Sequence, residues 1–420
     1  MSEPQTEAGG IRRLLVAHVD AAGVARARAI PAARVDNVLE HGIAASISGA
    51  ALFTPADSPV GALGLDPVIG DVRVRPDARR VAELGDGWAW APADLRWADD
   101  RPFTGCTRSA LRRAATAADI DVKVGFEIEF VVADEASGSL APAHKGPAYG
   151  QRPLVRNLDY LDDLMTALED ADVPVLQVHA EHGDGQFEVS LAPRHPVDAC
   201  DDVVLARTVI DLVTERFGLR AYFDPVPPIG ADSNGMHIHL SASRDGRNVF
   251  ASTEEGMPHA EGTAIIAGIL DLLPSATALL AGSESSYKRL RPGRWSGAWN
   301  CWGRGNREAA VRYTPTTTDA GPSGANIEIK PGDATANPYL AVAALLVGLR
   351  AGLDRPAEPP APVDVDPGRL SDDERSARGV RTLPASLADA LAELSASGLL
   401  REGLGDDLVD LYIAVRTPAG

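Results

Sequence analysis

The stretch VGFEIEF at residues 124–130 decides the fold prediction, because its side chains alternate between apolar and acidic. Phe126, Ile128 and Phe130 fall on one face of an extended chain, and Glu127 and Glu129 fall on the other. The apolar flanking residues predict that this strand is buried. Two carboxylates held close together in a low dielectric repel each other unless positive charge lies between them. The stretch therefore predicts that something positive shares the acidic face.

Composition and charge restrict the class of protein. The chain has 420 residues, 45% of them hydrophobic and 24% charged, which is typical of a soluble globular protein with one large or two smaller domains. The net charge of −19 argues against nucleic acid as a partner, because phosphates require a basic surface. Three cysteines without metal-ligand spacing fit a reducing cytosol. The polar start MSEPQTEAGG and the lack of a membrane-length apolar run predict a cytoplasmic protein with no membrane partner.

Two regions differ in their predicted secondary structure. Residues 11–100 contain short β-rich segments, of which IRRLLVAHVD and VARARAIP, separated by AAG, predict a hairpin. From residue 109 onward, helical periodicity alternates with short strands. Helices are predicted over 109–120, 157–171, 202–218 and 383–397, and the proline-rich segment 354–368 predicts an exposed loop.

The alternation of the opening stretch recurs in three more segments. GQFEVSL (185–191) presents Glu188, GMHIHLS (235–241) presents His237 and His239, and NIEIKPGD (326–333) presents Glu328. The glycine-rich turn HAEHGDGQ adds Glu181. Five carboxylates and two imidazoles facing one space suit hard divalent cations, and two ions would be needed to engage all of them. For any single strand, a half-exposed sheet edge is the alternative interpretation, and spacing alone leaves both interpretations open.

Basic residues in SSYKRLRPGRWSGAWNCWGRGNREAAVRY (285–313) supply the opposite charge. Arg289, Arg307 and Arg312 lie there among glycines and aromatics. Metal ions together with guanidinium groups are what phosphoryl transfer requires. Nucleic-acid binding by arginine and tryptophan is the alternative, and the net charge disfavours it. The sequence has no GxxxxGK[ST] loop, so any ATP is bound by another type of fold.

These motifs resemble those of the glutamine synthetase superfamily, from about residue 11 to about residue 412. The matching segments, in the family's order, are GFEIEF, AEHGDGQFE, GMHIHLS, YKRLRPG, NREAAVR and IEIKPGDATANPYLAVAALL. The resemblance implies an α+β fold with a small β-grasp-like N-terminal domain (1–103) and a catalytic domain with a curved antiparallel sheet (104–420). It also implies rings of subunits with active sites between neighbours. Members of the family use ATP to convert the γ-carboxylate of glutamate to an acyl phosphate, which an amine attacks.

The resemblance also implies roles for individual residues. One Mg²⁺ ion, or Mn²⁺, would be held by Glu129, Glu181 and Glu188, and a second by Glu127, His237 and Glu328. The implied catalytic residues are His239, beside the transferring phosphoryl group, and Arg307 and Arg312, which stabilise its charge. The implied substrate-binding residues are Arg289, Gly235, Lys330 and Trp295, with Arg289 binding the α-carboxylate of glutamate.

Several departures from the family pattern bear on the substrate. Glu328-Ile-Lys330 replaces E-x-R, and the loop ADSNGMH (231–237) replaces N-G-S-G-M-H, so the acid is expected to be glutamate or a relative of it. The segment 42–53 lacks the F-D-G-S-S whose aspartate helps to bind ammonium. Arg294-Trp295 replaces Tyr-Glu, whose glutamate helps to deprotonate ammonium. Ammonium has no apolar surface and needs such carboxylates.

The pattern is therefore closest to the γ-glutamyl-amine ligase branch, which joins glutamate to organic amines such as polyamines, ethanolamine or alkylamines. Repulsion by Arg294 favours a monoamine or another lightly charged amine. One alternative is a glutamine synthetase that uses ammonia at an altered site. An alternative of another class is a non-catalytic binding or structural ring, which the presence of all six metal ligands disfavours. Because LYIAVRTPAG stops about one helix short of the usual tail, a hexameric ring or a weakly held dodecamer is expected.

Overall fold

The computed structural model describes residues 11–134, 140–230, 233–253, 256–315 and 321–417. Three features discussed above lie partly or wholly outside these ranges: the polar start of the chain, the first two residues of the loop ADSNGMH, and the last three residues of LYIAVRTPAG.

The strands are β1 (Arg13–Val19), β2 (Ala25–Pro31), β3 (Ile43–Ser46), β4 (Asp71–Pro76), β5 (Ala82–Gly85), β6 (Trp88–Trp97), β7 (Asp121–Asp134), β8 (Ala141–Pro142), β9 (Val175–Ala180), β10 (Gln186–Arg194), β11 (Arg220–Tyr222), β12 (Met236–Arg244), β13 (Arg247–Asn248), β14 (Trp299–Arg304), β15 (Ala309–Thr314), β16 (Asn326–Ile329) and β17 (Arg381–Thr382).

The α-helices are α1 (Val35–His41), α2 (Ile47–Ala51), α3 (Thr107–Ala117), α4 (Gln151–Arg156), α5 (Leu158–Asp170), α6 (Pro196–Arg216), α7 (Ala260–Leu280), α8 (Ser286–Arg289), α9 (Pro338–Asp354), α10 (Asp372–Ala377), α11 (Leu387–Ala396), α12 (Gly398–Leu404) and α13 (Asp406–Arg416).

The N-terminal sheet has the order β2-β1-β6-β4-β3, and β5 pairs with β6. β1 and β2 form the predicted antiparallel hairpin, with Val16 opposite Arg28, and β1 also pairs with β6 in parallel. Alternating residues of these strands, such as Leu14, Val72 and Val74, face a separate apolar core closed by α1 and α2. This arrangement confirms the predicted β-grasp-like architecture. The predicted division at residues 103 and 104, between β6 and α3, stays a prediction.

The second sheet has the order β17-β14-β15-β16-β12-β7-β10-β9, with β8 and β11 also pairing with β7 and β13 with β12. Its pairs are antiparallel except for β14 with β15. β7 lies near the centre of this order and is the longest of the described strands; burial alternates from Phe126 to Phe130, and residues 130–133 are all buried. The predicted α+β fold with a largely antiparallel curved sheet is confirmed.

Helices cover the apolar face of this sheet. Phe126, Ile128, Ile238 and Ile329 are fully or almost fully buried on that face, within one large core. Helix α6 packs against β7, α5 against β9 and α7 against β14, while α9 contacts α3, α6 and α7. The predicted helices correspond to α3, α5, α6 and α11, and the proline-rich segment after α9 is mostly exposed, as predicted.

Helix α7 is long and apolar enough to cross a membrane by length and composition, and it is the one such helix among the described residues. However, 67% of its most apolar window is buried inside the protein, where α7 packs against α9 and α11. This burial is what a core helix of a globular protein shows.

A buried cluster of charged side chains connects the N-terminal sheet to the helices that pack on the second sheet. Arg108 of α3 donates to both oxygens of Asp201 on α6, at 2.9 and 2.7 Å, and also to Asp94 of β6 at 3.3 Å and Asp77 at 3.1 Å. Tyr339 of α9 donates a further hydrogen bond to Asp201 at 2.7 Å. Arg108 is the ion-pair partner of the fully buried Asp201, so its removal leaves that buried carboxylate without its paired cation, whereas Asp94 keeps Arg112 and Asp77 keeps Arg79.

We therefore expect Arg108→Ala to destabilise the protein by about 3–5 kcal/mol, the range found when a buried ion pair loses one partner. The measurement is urea unfolding followed by circular dichroism at a fixed protein concentration. Arg79→Ala is the matched control, because the exposed Arg79 also pairs with Asp77; it should leave the midpoint unchanged. Equal midpoints for the two variants would contradict the role assigned to the cluster.

Candidate active site

The strand register places the predicted ligands opposite one another on the polar face of the second sheet. The facing pairs are Glu127–His237, Glu129–Glu188, His239–Glu328 and Arg312–Glu328. This register follows from the shared alternation, because the apolar residues between the ligands must all face the helices.

One group of possible metal ligands consists of Glu127, His237 and Glu328. Nδ1 of His237 lies 3.3 Å from Oε2 of Glu127 and 3.5 Å from Oε1 of Glu328. His239 adjoins this group, with Nε2 3.3 Å from Oε1 of Glu127 and Nδ1 3.0 Å from Oδ1 of Asn326. The structure thus brings together the three residues predicted for the second cation, while their role as ligands stays a prediction.

The residues predicted for the first cation fall into two overlapping groups. Glu129 and Glu188 lie within ligand distance of each other and of His237, whereas Glu181 and Glu188 form a group with His179. Nε2 of His179 lies 3.0 Å from Oε1 of Glu181 and 3.9 Å from Oε1 of Glu188. Glu188 belongs to both groups and therefore links them.

Positive neighbours keep two of these carboxylates ionised. Burial opposes ionisation of Glu127, but hydrogen bonds and charges from His237 and His239 outweigh it and hold the pKa of Glu127 well below its usual range. Burial likewise opposes ionisation of Glu328, and attraction to Lys330, the two histidines and Arg312 holds its pKa below the usual range. Burial lowers the pKa of His239, but the hydrogen bond and charge of Glu127, together with the charge of Glu328, outweigh burial and raise this pKa above its usual value.

Glu188 has the opposite environment. Burial, followed by repulsion from Glu127, Glu129, Glu181 and Glu328, raises the pKa of Glu188 to about 10. A buried carboxyl surrounded by carboxylates is expected to be protonated until a cation replaces its proton. This donor set of carboxylate oxygens and imidazole nitrogens fits Mg²⁺ or Mn²⁺, so the residues present fit the predicted metals.

The predicted basic residues occupy three different settings. Arg312 is ion-paired with Glu328, and Nζ of Lys330 lies 3.2 Å from Oε1 of the same glutamate. Arg289 is 4% exposed, and its Nη1 is buried without a hydrogen-bond partner among the described residues. Arg307 is exposed and lines the cavity. An unpartnered buried guanidinium nitrogen is a donor available to an anionic ligand.

Gly235 lies where no side chain fits. A Cβ there would lie 2.6 Å from Nη2 of Arg289, 2.9 Å from Nε2 of His237 and 3.0 Å from Oε1 of Glu129. Its N–H donates to Oε2 of Glu129 at 2.8 Å, and its carbonyl accepts from the N–H of Glu129 at 3.1 Å. The glycine therefore lets the backbone lie directly against the ligand cluster.

A cavity of about 560 Å³ opens over this face. It is lined by Glu127, Glu129, Glu181, Glu188, His237, Arg289, Arg307, Arg312 and Lys330, together with residues of other segments. His239 and Glu328 do not line it directly.

Two aromatic side chains line the same cavity, Trp295 and Tyr149. They are 56% and 58% exposed, and each has a left-handed backbone, with φ of 53° and 57°. For a bulky residue this conformation costs about 1–2 kcal/mol, so other contacts must hold it. Tyr149 stacks on His179, with ring centroids 6.1 Å apart, and burial and the charge of Glu181 raise the pKa of Tyr149 to about 12.

The sequence analysis missed three residues that belong to this site: His179, Gln186 and Tyr149. Gln186 alternates with Glu188 on β10, and its amide donates to Oε2 of Glu129 at 3.1 Å and to the carbonyl of Ser233 at 2.9 Å. His179 precedes Glu181 by two residues at the end of β9, so the same two-residue period could have identified it. Tyr149 lies in a loop, and no local pattern marks it.

The polar face therefore combines overlapping groups of cation ligands with guanidinium donors beside one cavity. Such a combination can bind divalent cations, neutralise phosphate oxygens and hold a carboxylate substrate. These are the capabilities that a metal-dependent ligase or phosphoryl-transfer enzyme requires of its active site.

Comparison with known proteins specifies the family. Residues 104–418 match the glutamine synthetase catalytic domain. The chain is 40% identical over 417 residues to the γ-glutamylpolyamine synthetase GlnA3 of Streptomyces coelicolor, covering 97% of this chain and 89% of that protein. It is 29% identical to the glutamine synthetase of Methanosarcina mazei, covering 94% and 88%. A solved structure described as a novel glutamine synthase homolog superposes with a TM-score of 0.84 at 30% identity, covering 99% of this chain and 95% of that one.

The chain belongs to the glutamine synthetase family. It is an ATP-dependent carboxylate–amine ligase, and the predicted family resemblance is confirmed. Members of this family generally use ATP and divalent metals, and their substrates are glutamate and an amine.

The raised pKa of Glu188 predicts that metal binding releases a proton. At about pH 7.5 the free site holds a proton that a coordinated carboxylate cannot keep, so Mg²⁺ affinity should rise with pH and up to about one proton should leave per site. Titration calorimetry in buffers of different ionisation enthalpy measures this number. Glu188→Gln should abolish the release, whereas Glu261→Gln, which changes a glutamate paired with Arg244 away from the cavity, should not. Equal proton release in wild type and Glu188→Gln would refute the assignment.

Proposed function

We propose that this protein uses ATP to activate the γ-carboxylate of glutamate as an acyl phosphate and joins it to an organic amine. The observation that carries the choice of an organic amine is the exposed indole of Trp295 on the cavity wall. Ammonium-using members of the family carry a glutamate at this position. The name of the Streptomyces relative, a γ-glutamylpolyamine synthetase, supports the same choice.

The activation half of the reaction is assigned to the sheet and its arginines. Arg289 binds the α-carboxylate of glutamate through its buried Nη1, which has no hydrogen-bond partner within the described part of the chain. Arg307, exposed in the cavity, stabilises the charge of the transferring phosphoryl group. Arg312 and Lys330 act from the cavity wall, where their ion pairs with Glu328 fix their positions. His239, whose Nε2 lies 3.3 Å from Oε1 of Glu127, is assigned a place beside the transferring phosphoryl group.

Two divalent cations, Mg²⁺ or Mn²⁺, are assigned to the ligand groups. Glu127, His237 and Glu328 would hold the cation that binds the nucleotide phosphates. Glu129, Glu181 and Glu188 would hold the cation that binds the substrate carboxylate, and the position of His179 beside the last two suggests it as a neighbour of that ion. When bound, such cations neutralise phosphate and carboxylate oxygens.

Binding of the amine is assigned to the part of the cavity wall formed by Trp295 and Tyr149, which we call the aromatic wall. An indole can contact the alkyl chain of an amine or lie against its ammonium group, an interaction of about 0.5–2 kcal/mol. It cannot accept a proton or carry negative charge, which are the two properties that ammonium requires of its site. Tyr149 presents a second ring to the same cavity. Two exposed rings suit a nucleophile that has apolar surface.

Among organic amines, a polyamine is the first candidate, because it is the substrate class in the name of the 40% identical relative. The monoamine expected from Arg294 is the alternative within this proposal. A glutamine synthetase that uses ammonia is the second candidate function, because relatives such as the Methanosarcina protein carry that name. A homo-oligomeric ring with active sites between subunits, a cytoplasmic location and the division into domains at residue 103 belong to the proposal as well.

An amine screen tests the function directly. With glutamate, ATP and Mg²⁺ supplied, ADP release should depend on an organic amine and stay absent with ammonium. Butylamine and putrescine form a matched pair, because they have the same chain length and differ in the second ammonium group. Faster turnover with putrescine would support a polyamine, and faster turnover with butylamine would support the monoamine. Turnover with ammonium alone would establish the glutamine synthetase alternative.

The role of Trp295 is tested by Trp295→Glu. Removing the ring should lower kcat/KM for the organic amine by about tenfold, equivalent to about 1.4 kcal/mol, and the new carboxylate should admit some ammonium. KM values for ATP and glutamate should stay near those of the wild type, because the metal and arginine groups are unchanged. Steady-state kinetics over a pH series makes the comparison. An unchanged amine profile would remove Trp295 from the nucleophile pocket.

A further inference from the structure

The loop that carries Trp295 is closed on itself. Oγ of Ser296 accepts a hydrogen bond from the N–H of Arg291 and donates one to its carbonyl, both at 3.1 Å. Gly293, Trp295 and Gly297 all have left-handed backbones, with φ of 77°, 53° and 72°. The chain therefore makes a tight coil over residues 291–297, which we call the tryptophan loop.

A buried glutamate outside the tryptophan loop holds its centre. Glu308 is 5% exposed, and its two carboxylate oxygens accept hydrogen bonds from the N–H of Gly293 at 3.1 Å and of Trp295 at 2.8 Å. Each oxygen takes one donor, so the carboxylate binds both ends of the Gly293–Trp295 segment. Charge-assisted bonds of this kind are stronger than those between neutral groups.

Glu308 is itself fixed from the opposite side. Its N–H donates to Oδ1 of Asn306 at 3.0 Å, and Nδ2 of Asn306 donates to the carbonyl of Val363 at 2.6 Å. Its neighbour in sequence is Arg307, which lines the cavity, whereas Glu308 does not. One short segment thus contributes an arginine to the cavity and a carboxylate to the loop that forms the cavity wall.

The indole of Trp295 lies on the exposed wall of the cavity. Its side chain is mostly exposed, and its left-handed backbone is one that a bulky residue rarely adopts without outside support. The two bonds from Glu308 supply that support at the Trp295 N–H itself. Because Glu308 is buried and does not line the cavity, its carboxylate is not positioned to act as a base for the amine.

We propose that Glu308 is a positioning residue for the amine half of the reaction: it holds the tryptophan loop so that the indole of Trp295 faces the nucleophile. The inference rests on the proposed function, because it requires that Trp295 contact the amine. It assigns to Glu308 an effect on amine recognition, with no contact between Glu308 and the substrate.

The test compares two nucleophiles in Glu308→Ala and Glu308→Gln. Putrescine or butylamine, whichever the wild type uses better, needs the aromatic wall, whereas hydroxylamine is small and has no alkyl chain. Glu308→Ala should raise KM for the organic amine at least fivefold and change hydroxylamine-dependent ADP release by less than twofold. For Glu308→Gln, KM for the organic amine should lie between the values of the wild type and Glu308→Ala. The reason is that the glutamine amide keeps one acceptor oxygen and turns a donor toward the other N–H. A parallel loss with both nucleophiles in both variants would show a structural role only and overturn the proposal.

A double-mutant cycle separates this inference from the proposed function. If Glu308 acts through Trp295, the variant with both Trp295→Ala and Glu308→Ala should be no worse with the organic amine than Trp295→Ala alone. If instead the losses caused by Trp295→Ala and by Glu308→Ala multiplied in the double variant, the two residues would act independently. That result would overturn the positioning role of Glu308 and leave the role of Trp295 intact. No effect of Trp295→Ala on the organic amine would overturn both. Acrylamide quenching of tryptophan fluorescence should change in Glu308→Ala relative to the wild type, and Trp295→Phe identifies the contribution of this indole.

Discussion

Repulsion among the carboxylates on the polar face of the second sheet is the constraint on which the rest of the site depends. Four glutamates border one cavity, and a fifth, Glu328, is buried beside them. Alone, this charge would oppose folding of the sheet. The protein distributes its cations unevenly: histidines, Lys330 and Arg312 surround Glu127 and Glu328, while Glu188 receives little compensation. The charge of the carboxylates around Glu188 is therefore not balanced by the cationic side chains of this face, and added positive charge would stabilise it.

The positions of these charged side chains are fixed by the strands that carry them and by the packed core beneath the sheet. The ligands come from adjacent strands in fixed register, and their apolar neighbours are locked into one core with helices α5, α6, α7 and α9. A shift of one residue in any strand would turn its ligands into that core. The same alternation that stabilises the fold thus sets the distances between the ligands.

Local periodicity explains how much the sequence could predict. Alternation in the segments around Glu127, Glu188, His237 and Glu328 was enough to predict both the strands and the convergence of their polar side chains. The same two-residue period places Gln186 on the face of Glu188, although periodicity does not show that this amide binds Glu129, and it extends from Glu181 back to His179. It could not reach Tyr149 or Glu308, because their positions depend on loops whose path is determined by tertiary contacts. The contact of Glu308 with the N–H of Trp295 spans thirteen positions without any repeating pattern.

The tryptophan loop differs from the sheet in how it is held. Its anchors, Ser296 and Glu308, bind backbone atoms of Arg291, Gly293 and Trp295, and none of these bonds uses the side chain at position 295. A new side chain at that position would therefore inherit the same path and project into the same part of the cavity. Under the proposed function, the groups that activate the acid and the surface that contacts the amine are therefore separable: a substitution at position 295 would change that surface and leave the residues assigned to phosphoryl transfer in place.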